Sequence, residues 1–257
     1  MERPGHTPLS EELRRSMIET KVWQPECPVP LERLASVRLK YVDFAGDEHS
    51  DGELIVFDAA AHRVSRIFER LFDMRFPLSR LRSIHHYGGN DDASMTDNNC
   101  SSFNFRKIPD GQTISIHGYG LAIDINPVQN PFIQFQPDEG IASIHPPEGW
   151  QYLNRKNQKP GMVEPIVSVF EENGFFIWGG SWTTPIDYHH FQPPRVVVSL
   201  ITAMSEPDGV RFFELCIEKR AAVLRVSGDL DTSELIRIYR QDREAFFSSF
   251  SKKISSV

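Results

Sequence analysis

Two short stretches of the chain concentrate side chains able to hold a metal ion and to move a proton. SIHGYGLAID (115–124) carries Ser115, His117 and Asp124, and DYHH (187–190) carries Asp187, His189 and His190. Zinc accepts imidazole nitrogen and carboxylate oxygen, and a catalytic zinc site has three protein ligands with a fourth position left for water. His117 and Asp124 supply two ligands. Either His189 or His190 completes the set by this reasoning alone. Asp187 is then the candidate general base, a carboxylate outside the ligand set that takes the proton of a water whose pKa the metal lowers to about 7. The same residues also suit a hydrogen-bonded strand face and a polar turn, and spacing by itself leaves both readings standing.

The elements around these residues must bring them together. Ile114 and Ile116 alternate with Ser115 and His117, and after Gly118 and Gly120 the residues Leu121, Ile123 and Ile125 alternate with Ala122, Asp124 and Asn126. Successive side chains on a strand point to opposite faces. The pattern predicts two extended pieces with the aliphatic set in the core, turning at the glycines. Upstream, residues 9–18 read as a short amphipathic helix. RLKYVDF (38–44) and ELIVF (53–57) read as a hairpin. DAAAHRVSRIFERLF (58–72) reads as a helix with Asp58 as its N-cap, because Val64, Ile67, Phe68 and Leu71 recur at helical spacing. HHYGGNDDASMTDNN (85–99) reads as a long polar loop, SSFNFRKI (101–108) as a strand and DGQ (110–112) as a turn. Residues 127–161 read as a proline-rich surface excursion, 162–174 as a segment stopped by Gly174, and FFIWGGSW (175–182) as extended. After Pro194 the periodicity turns helical, and Asp231 with Glu234 forms a capping-box-like start for the last segment.

The bulk composition narrows the partners. The chain has 257 residues, 40% hydrophobic and 25% charged, with 28 Lys and Arg against 35 Asp and Glu for a net charge of −7. Those proportions suit an ordinary globular core. The acidic balance argues against nucleic acid as the main partner, since phosphate binding needs a concentrated basic surface. Cys27, Cys100 and Cys216 lie too far apart for a disulfide framework or a cysteine zinc site. No apolar run approaches a membrane span, and the N-terminal stretch shows no secretory signal. The reading is cytoplasmic by sequence, with recycling of imported muropeptides, release by lysis, a nonclassical route out or an incorrectly recorded start as the ways to meet a cell wall. Nothing in the pattern sets the oligomeric state.

The motifs resemble those of a known family. S115-I-H117-G-Y-G120-L-A-I-D124 matches the Ser-x-His-x-x-Gly-x-Ala-x-Asp motif of the D-alanyl-D-alanine carboxypeptidase zinc metallopeptidases, enzymes of peptidoglycan. They share a core fold with vancomycin-resistance D,D-dipeptidases, phage L-alanyl-D-glutamate endopeptidases and the hedgehog signalling domain. F176-I-W-G-G-S-W182 and D187-Y-H-H190-F-Q resemble the family's Trp-Gly-Gly-x-Trp and Asp-x-x-His-Phe-Glu/Gln elements, and N99-C-S-S-F-N-F-R106 resembles its upstream Asn-x-Ser-x-Phe-Asn-x-Arg run. Order and spacing agree over about residues 30–192, and several independent motifs co-occur.

The resemblance implies an α+β fold built on an antiparallel sheet with flanking helices. It makes His117, Asp124 and His190 the zinc ligands, deciding between the two adjacent histidines, and Asp187 the general base. Arg106 becomes the cation that steadies the oxyanion, Ser115 a substrate or metal-shell contact, and Trp182 a pocket wall. Ser181 stands where many relatives have Asp and His189 where many have Pro, which implies altered substrate contacts with the metal kept. The implied organisation is an N-terminal extension (1–30), a zinc metallopeptidase domain (31–194) and a mostly helical C-terminal appendage (195–257). The implied activity is hydrolysis of peptidoglycan or muropeptide stems as a D-alanyl-D-alanine carboxypeptidase. The alternatives are an L-alanyl-D-glutamate endopeptidase or a non-catalytic zinc-containing binding module.

Overall fold

The computed structural model describes residues 6–108, 111–136 and 141–255. Strand β1 (His6–Pro8) is followed by helix α1 (Glu11–Glu19), whose N-cap Ser10 accepts a hydrogen bond from the Leu13 amide. β2 (Leu34–Val42) and β3 (Glu48–Phe57) form the expected hairpin, antiparallel in register from Leu34↔Phe57 to Val42↔Glu48, with β1 on the other edge of β2. Along β2, Val37, Leu39 and Tyr41 are buried while Arg38 and Lys40 face solvent, the alternation a half-buried strand requires.

Helix α2 (Ala61–Asp73) packs against β2 and buries Val64, Ile67, Phe68 and Leu71. Its expected cap is corrected. Asp58 lies in a 3-10 turn (Asp58–Ala60), Ala60 is the N-cap, and the Asp58 carboxylate takes a fork from Arg33 at 2.5 and 3.0 Å. A buried carboxylate needs a charged partner more than a helix end needs a cap.

Two further readings change. The stretch read as a polar loop over 85–99 contains a 3-10 turn (Ile84–Tyr87) and helix α3 (Asp91–Thr96), which Asn90 caps by accepting from the Ala93 amide. It lies between β4 (Arg80–Leu81) and β5 (Asn99–Cys100), a parallel pair. The piece 101–108, read as a strand, makes only isolated bridges, Ser101 to Asp124 and Lys107 to Ile114. Of the DGQ turn, Asp110 lies outside the described residues.

Short strands follow: β6 (Ile123–Asp124), β7 (Phe132–Gln136) and β8 (Ile141–His145), then α4 (Val167–Glu171), β9 (Ile177–Trp178), β10 (Ile186–Asp187) and β11 (His190–Gln192). They form two antiparallel sheets of three strands, β6–β11–β9 and β10–β7–β8. The fold is thus α+β, with three small antiparallel sheets.

The C-terminal region is helical, as expected: α5 (Arg195–Thr202), α6 (Glu206–Glu218), α7 (Arg220–Val226), α8 (Thr232–Gln241) and α9 (Arg243–Ser255). Asp231 caps α8 by accepting from the Glu234 amide at 3.0 Å. These helices lie against the rest of the chain. Arg63 on α2 forks onto Glu214 on α6, Arg220 pairs with Glu171 at 2.7 Å, and the Arg33 Nη1 donates to the Met204 carbonyl. One apolar cluster runs from Leu34, Phe57 and Phe68 to Phe212, Phe246 and Phe250. No helix among the described residues is long and apolar enough to cross a membrane.

Candidate metal centre

His117 does not sit on a strand. Residues Ile116–Tyr119 form a 3-10 turn, entered at Ser115, whose Oγ accepts from the His117 amide at 3.4 Å, and left at Gly120 with φ +67. That φ favours glycine. A Cβ there would also stand 2.7 Å from the Phe57 nitrogen, which donates to the Gly120 carbonyl at 2.9 Å. The alternation of isoleucine with Ser115 and His117 is therefore the signature of a capped turn, and the extended reading is corrected. Beyond it, β6 does carry Asp124, paired directly across from His190 on β11. Cross-strand neighbours lie close enough for their side chains to meet.

Three side chains converge. His117 Nε2 is 3.2 Å from His190 Nδ1 and 3.1 Å from Asp124 Oδ2, and His190 Nδ1 is 3.1 Å from Asp124 Oδ1. All three residues are buried. A tetrahedral zinc with bonds of 2.0–2.1 Å holds its ligand atoms about 3.3 Å apart, so the spacing fits. The remaining ring nitrogens settle the tautomers. His117 Nδ1 donates to the Ser102 carbonyl at 2.6 Å, and His190 Nε2 donates to Gln192 Oε1 at 2.8 Å. Fixing the far nitrogen in this way is how proteins orient metal-ligating histidines. In the neutral rings His117 Nε2 and His190 Nδ1 are left as lone pairs facing a carboxylate, an arrangement that a cation between them satisfies. Among the described residues this is the His, Cys, Asp and Glu cluster whose ligand atoms all lie within 4.8 Å of one another.

Without a cation between them, the buried groups shift one another's titration. Burial acts to raise the Asp124 carboxyl, but the charges of His117 and His189 and the hydrogen bonds of His117 and His190 outweigh it and hold the group well below the usual carboxylate range. Burial likewise acts to lower His189, yet Asp187 and Asp124 beside it raise that imidazole to about 9. His190 is raised against its own burial by the Asp124 hydrogen bond and charge.

Asp187 ends β10 and is buried with the group. His189 Nε2 is 2.9 Å from its Oδ1 and 3.8 Å from Asp124 Oδ2, so one imidazole stands between the two carboxylates. His189 itself turns Nδ1 away from the cluster to the Asn130 carbonyl at 2.8 Å. Trp182 is half-buried with its ring centroid 5.6 Å from that of His190, which puts it at the wall of the cluster. The Ser115 hydroxyl oxygen accepts from the His117 amide in the turn. Arg106 does not touch the three facing side chains. Its Nη2 is 2.9 Å from Asp91 Oδ2 on α3, and its carbonyl accepts from the Ser115 amide at 2.9 Å, beside the His117 turn.

Sequence reasoning missed four supporting groups: the Ser102 carbonyl, Gln192, Asn130 and Asp91. Gln192 had a signal, since residues two apart on a strand share a face. The other three act across 15, 59 and 15 residues, to His117, His189 and Arg106.

No curated protein and no solved structure matches the chain. A family model described as D-alanyl-D-alanine carboxypeptidase matches residues 109–193, roughly a third of the chain. That segment holds Ser115, His117, Asp124, Trp182, Asp187 and His190, whereas Arg106 precedes it. The segment that builds the centre is thus similar to the D-alanyl-D-alanine carboxypeptidase family that its motifs resemble.

Proposed function

We propose that the protein is a zinc-dependent peptidase that hydrolyses peptidoglycan stem peptides, as a D-alanyl-D-alanine carboxypeptidase. The observation that carries this is the convergence of His117, Asp124 and His190 at 3.1–3.2 Å, with both far ring nitrogens occupied, inside the segment that the family model matches. Two imidazoles and one carboxylate suit zinc, which takes mixed nitrogen and oxygen sets. When bound there, zinc supplies a Lewis acid that makes water a nucleophile near neutral pH.

The chain's own residues do the rest. Asp187 takes the proton of the attacking water on its carboxylate and returns it to the leaving amine, so the hydroxyl ends on the acyl carbon and the proton on the nitrogen. The Arg106 guanidinium faces the negative charge that develops on the carbonyl oxygen, and Asp91 steadies its outer nitrogen. Trp182 covers one side of His190 and limits water. Ser115 serves the reaction through the turn that aims His117.

The test is a panel of defined stem peptides offered to zinc-loaded protein, read by mass spectrometry with metal analysis alongside. Loss of a terminal D-alanine is the expected result. A cut between L-alanine and D-glutamate would make the chain an endopeptidase. Full zinc with every peptide intact would make it a binding module.

A further inference from the structure

Residues 102–106 run beside the turn that carries His117, and their backbone bonds alternate. On one side the Ser102 carbonyl accepts from His117 Nδ1 at 2.6 Å, the Asn104 amide donates to the His117 carbonyl at 3.2 Å, and the Arg106 carbonyl accepts from the Ser115 amide at 2.9 Å. On the other side the Phe103 and Phe105 amides donate to the Ile55 and Val22 carbonyls, each at 3.1 Å. Such alternation marks an extended chain, in which residues two apart share a face. Phe103 and Phe105 pack on the apolar core, which leaves Ser102, Asn104 and Arg106 on the opposite face. Ser102 is satisfied there, its hydroxyl donating to the Ala122 carbonyl at 2.8 Å. Its two neighbours on that face are not. Asn104 is 4% exposed, and its Nδ2 is buried with no hydrogen-bond partner among the described residues. The same holds for Arg106 Nε and for Asp187 Oδ1, so that of the four such atoms only the one on Arg80 lies away from these residues. Other buried asparagines nearby are fully employed: Asn99 Nδ2 donates to the Arg82 carbonyl and the Ser94 hydroxyl, and Asn130 Nδ2 to the Ile125 and Gly161 carbonyls.

We propose that Asn104 is a further catalytic residue: its Nδ2, beside Arg106 Nε, donates a hydrogen bond to the scissile carbonyl oxygen as that oxygen turns negative. This rests on the reading of the chain as a peptidase in which Arg106 faces that oxygen. A buried donor without an acceptor costs the fold the hydration it has lost, a cost that native chains accept at functional sites. Both orphaned groups on this face are N–H donors, which select an oxygen bearing negative charge. The backbone of Asn104 ties the stretch to the His117 turn, while its side-chain nitrogen gives the fold no bond. A donor held in place beforehand, and matched only when charge develops, acts on the transition state and not on substrate binding.

Two variants of the zinc-loaded protein test the donor. Leucine matches asparagine in length and branching and removes the N–H, whereas aspartate keeps the shape and puts an acceptor in its place. Asn104→Leu is expected to lose about 100- to 1,000-fold in kcat with KM within a few-fold and one zinc per chain, and Asn104→Asp to lose at least as much. A kcat loss below about tenfold in either variant, a loss that sits in KM, or a loss that follows zinc content overturns the proposal. A second readout needs no turnover. Because the amide nitrogen gives the fold no bond, Asn104→Leu should unfold in urea no earlier than wild type. An earlier midpoint makes the side chain structural and overturns the proposal. If wild type cleaves no peptide, the catalytic role falls with the peptidase reading. A urea midpoint at or above that of wild type beside that result locates the failure in the reaction and not in the reading of the amide as surplus to the fold.

Discussion

Gly179 and Asp187 approach so closely that a Cβ on the glycine would stand 2.5 Å from the Asp187 carbonyl oxygen and 2.9 Å from its Cβ. The neighbour there is backbone, which cannot swing aside as the end of a long side chain does. Gly179→Ala must therefore displace the strand end that carries Asp187. Misplacing a reacting group by about 1 Å costs on the order of 100-fold in rate. The expected outcome is a loss of that size in kcat with zinc retained, measured by steady-state kinetics and metal analysis.

The ligand set and the proton acceptor predict opposite metal phenotypes. His117→Ala removes one of the three proposed ligands and should lose both zinc and activity. Asp187→Ala leaves the ligands intact and should bind zinc while turning over no substrate. Loss of zinc in the second variant would argue against the division of roles.

Metal removal should register in stability, because the site faces lone pairs toward one another. A ligand present at 100 times its Kd adds about 2.7 kcal/mol to the folded state, which for a chain of this size raises Tm by roughly 5–10 °C. Chelator-treated protein should melt lower, zinc should restore it, and His117→Ala should show no response. An unchanged Tm in wild type would mean that the native state does not take up the ion.

Arg106 and Asp91 divide differently. Arg106→Ala removes the guanidinium proposed to face the oxyanion and should lower kcat by about 100- to 1,000-fold. Asp91→Asn frees the outer nitrogen while keeping the cation and should lose far less. Equal losses would make the ion pair itself, and not the cation, the functional unit. Paired kcat and zinc measurements distinguish these cases.

Asp208 sets a pH dependence in the C-terminal helices. Burial acts to raise its carboxyl, but hydrogen bonds from Tyr239 at 2.7 Å, Ser205 at 2.9 Å and Arg243 at 2.7 Å hold it below the usual value. A carboxylate lowered in the folded state contributes stability that is full above its unfolded pKa, about 3.9. That contribution is lost as pH falls through the folded value. Wild type should therefore lose Tm more steeply than Asp208→Asn below about pH 4, as thermal melts across an acid series would record.

What was legible in the chain was what periodicity and motif spacing encode. The β2–β3 hairpin, the apolar stripe of α2, the helical C-terminal region and the Asp231 cap follow from local pattern alone. Several of the failures come from side chains or backbone whose partners lie far away in sequence. Asp58 looks like a helix cap until Arg33 reaches it from 25 residues upstream. Ser115 and His117 look like strand positions, yet Ser115 caps a turn that Gly120 closes against Phe57. The tie between His189 and His190 could not be broken by spacing, because what separates them is the cross-strand register of His190 with Asp124. Asp91 gave no sign at all, since the arginine it meets lies 15 residues away.

Helix α5 rests on the turn that carries His117, and Arg195 at its start reaches the Ile114 carbonyl at 3.2 Å. The segment that carries the candidate centre is therefore not a portable module. Cutting the chain after Pro194, or grafting residues 109–193 onto another scaffold, would strip away the buttress that keeps His117 aimed. It would also lay bare the oily flank that Leu200 and Phe212 now cover. An engineer who wants this centre must carry the tail along with it.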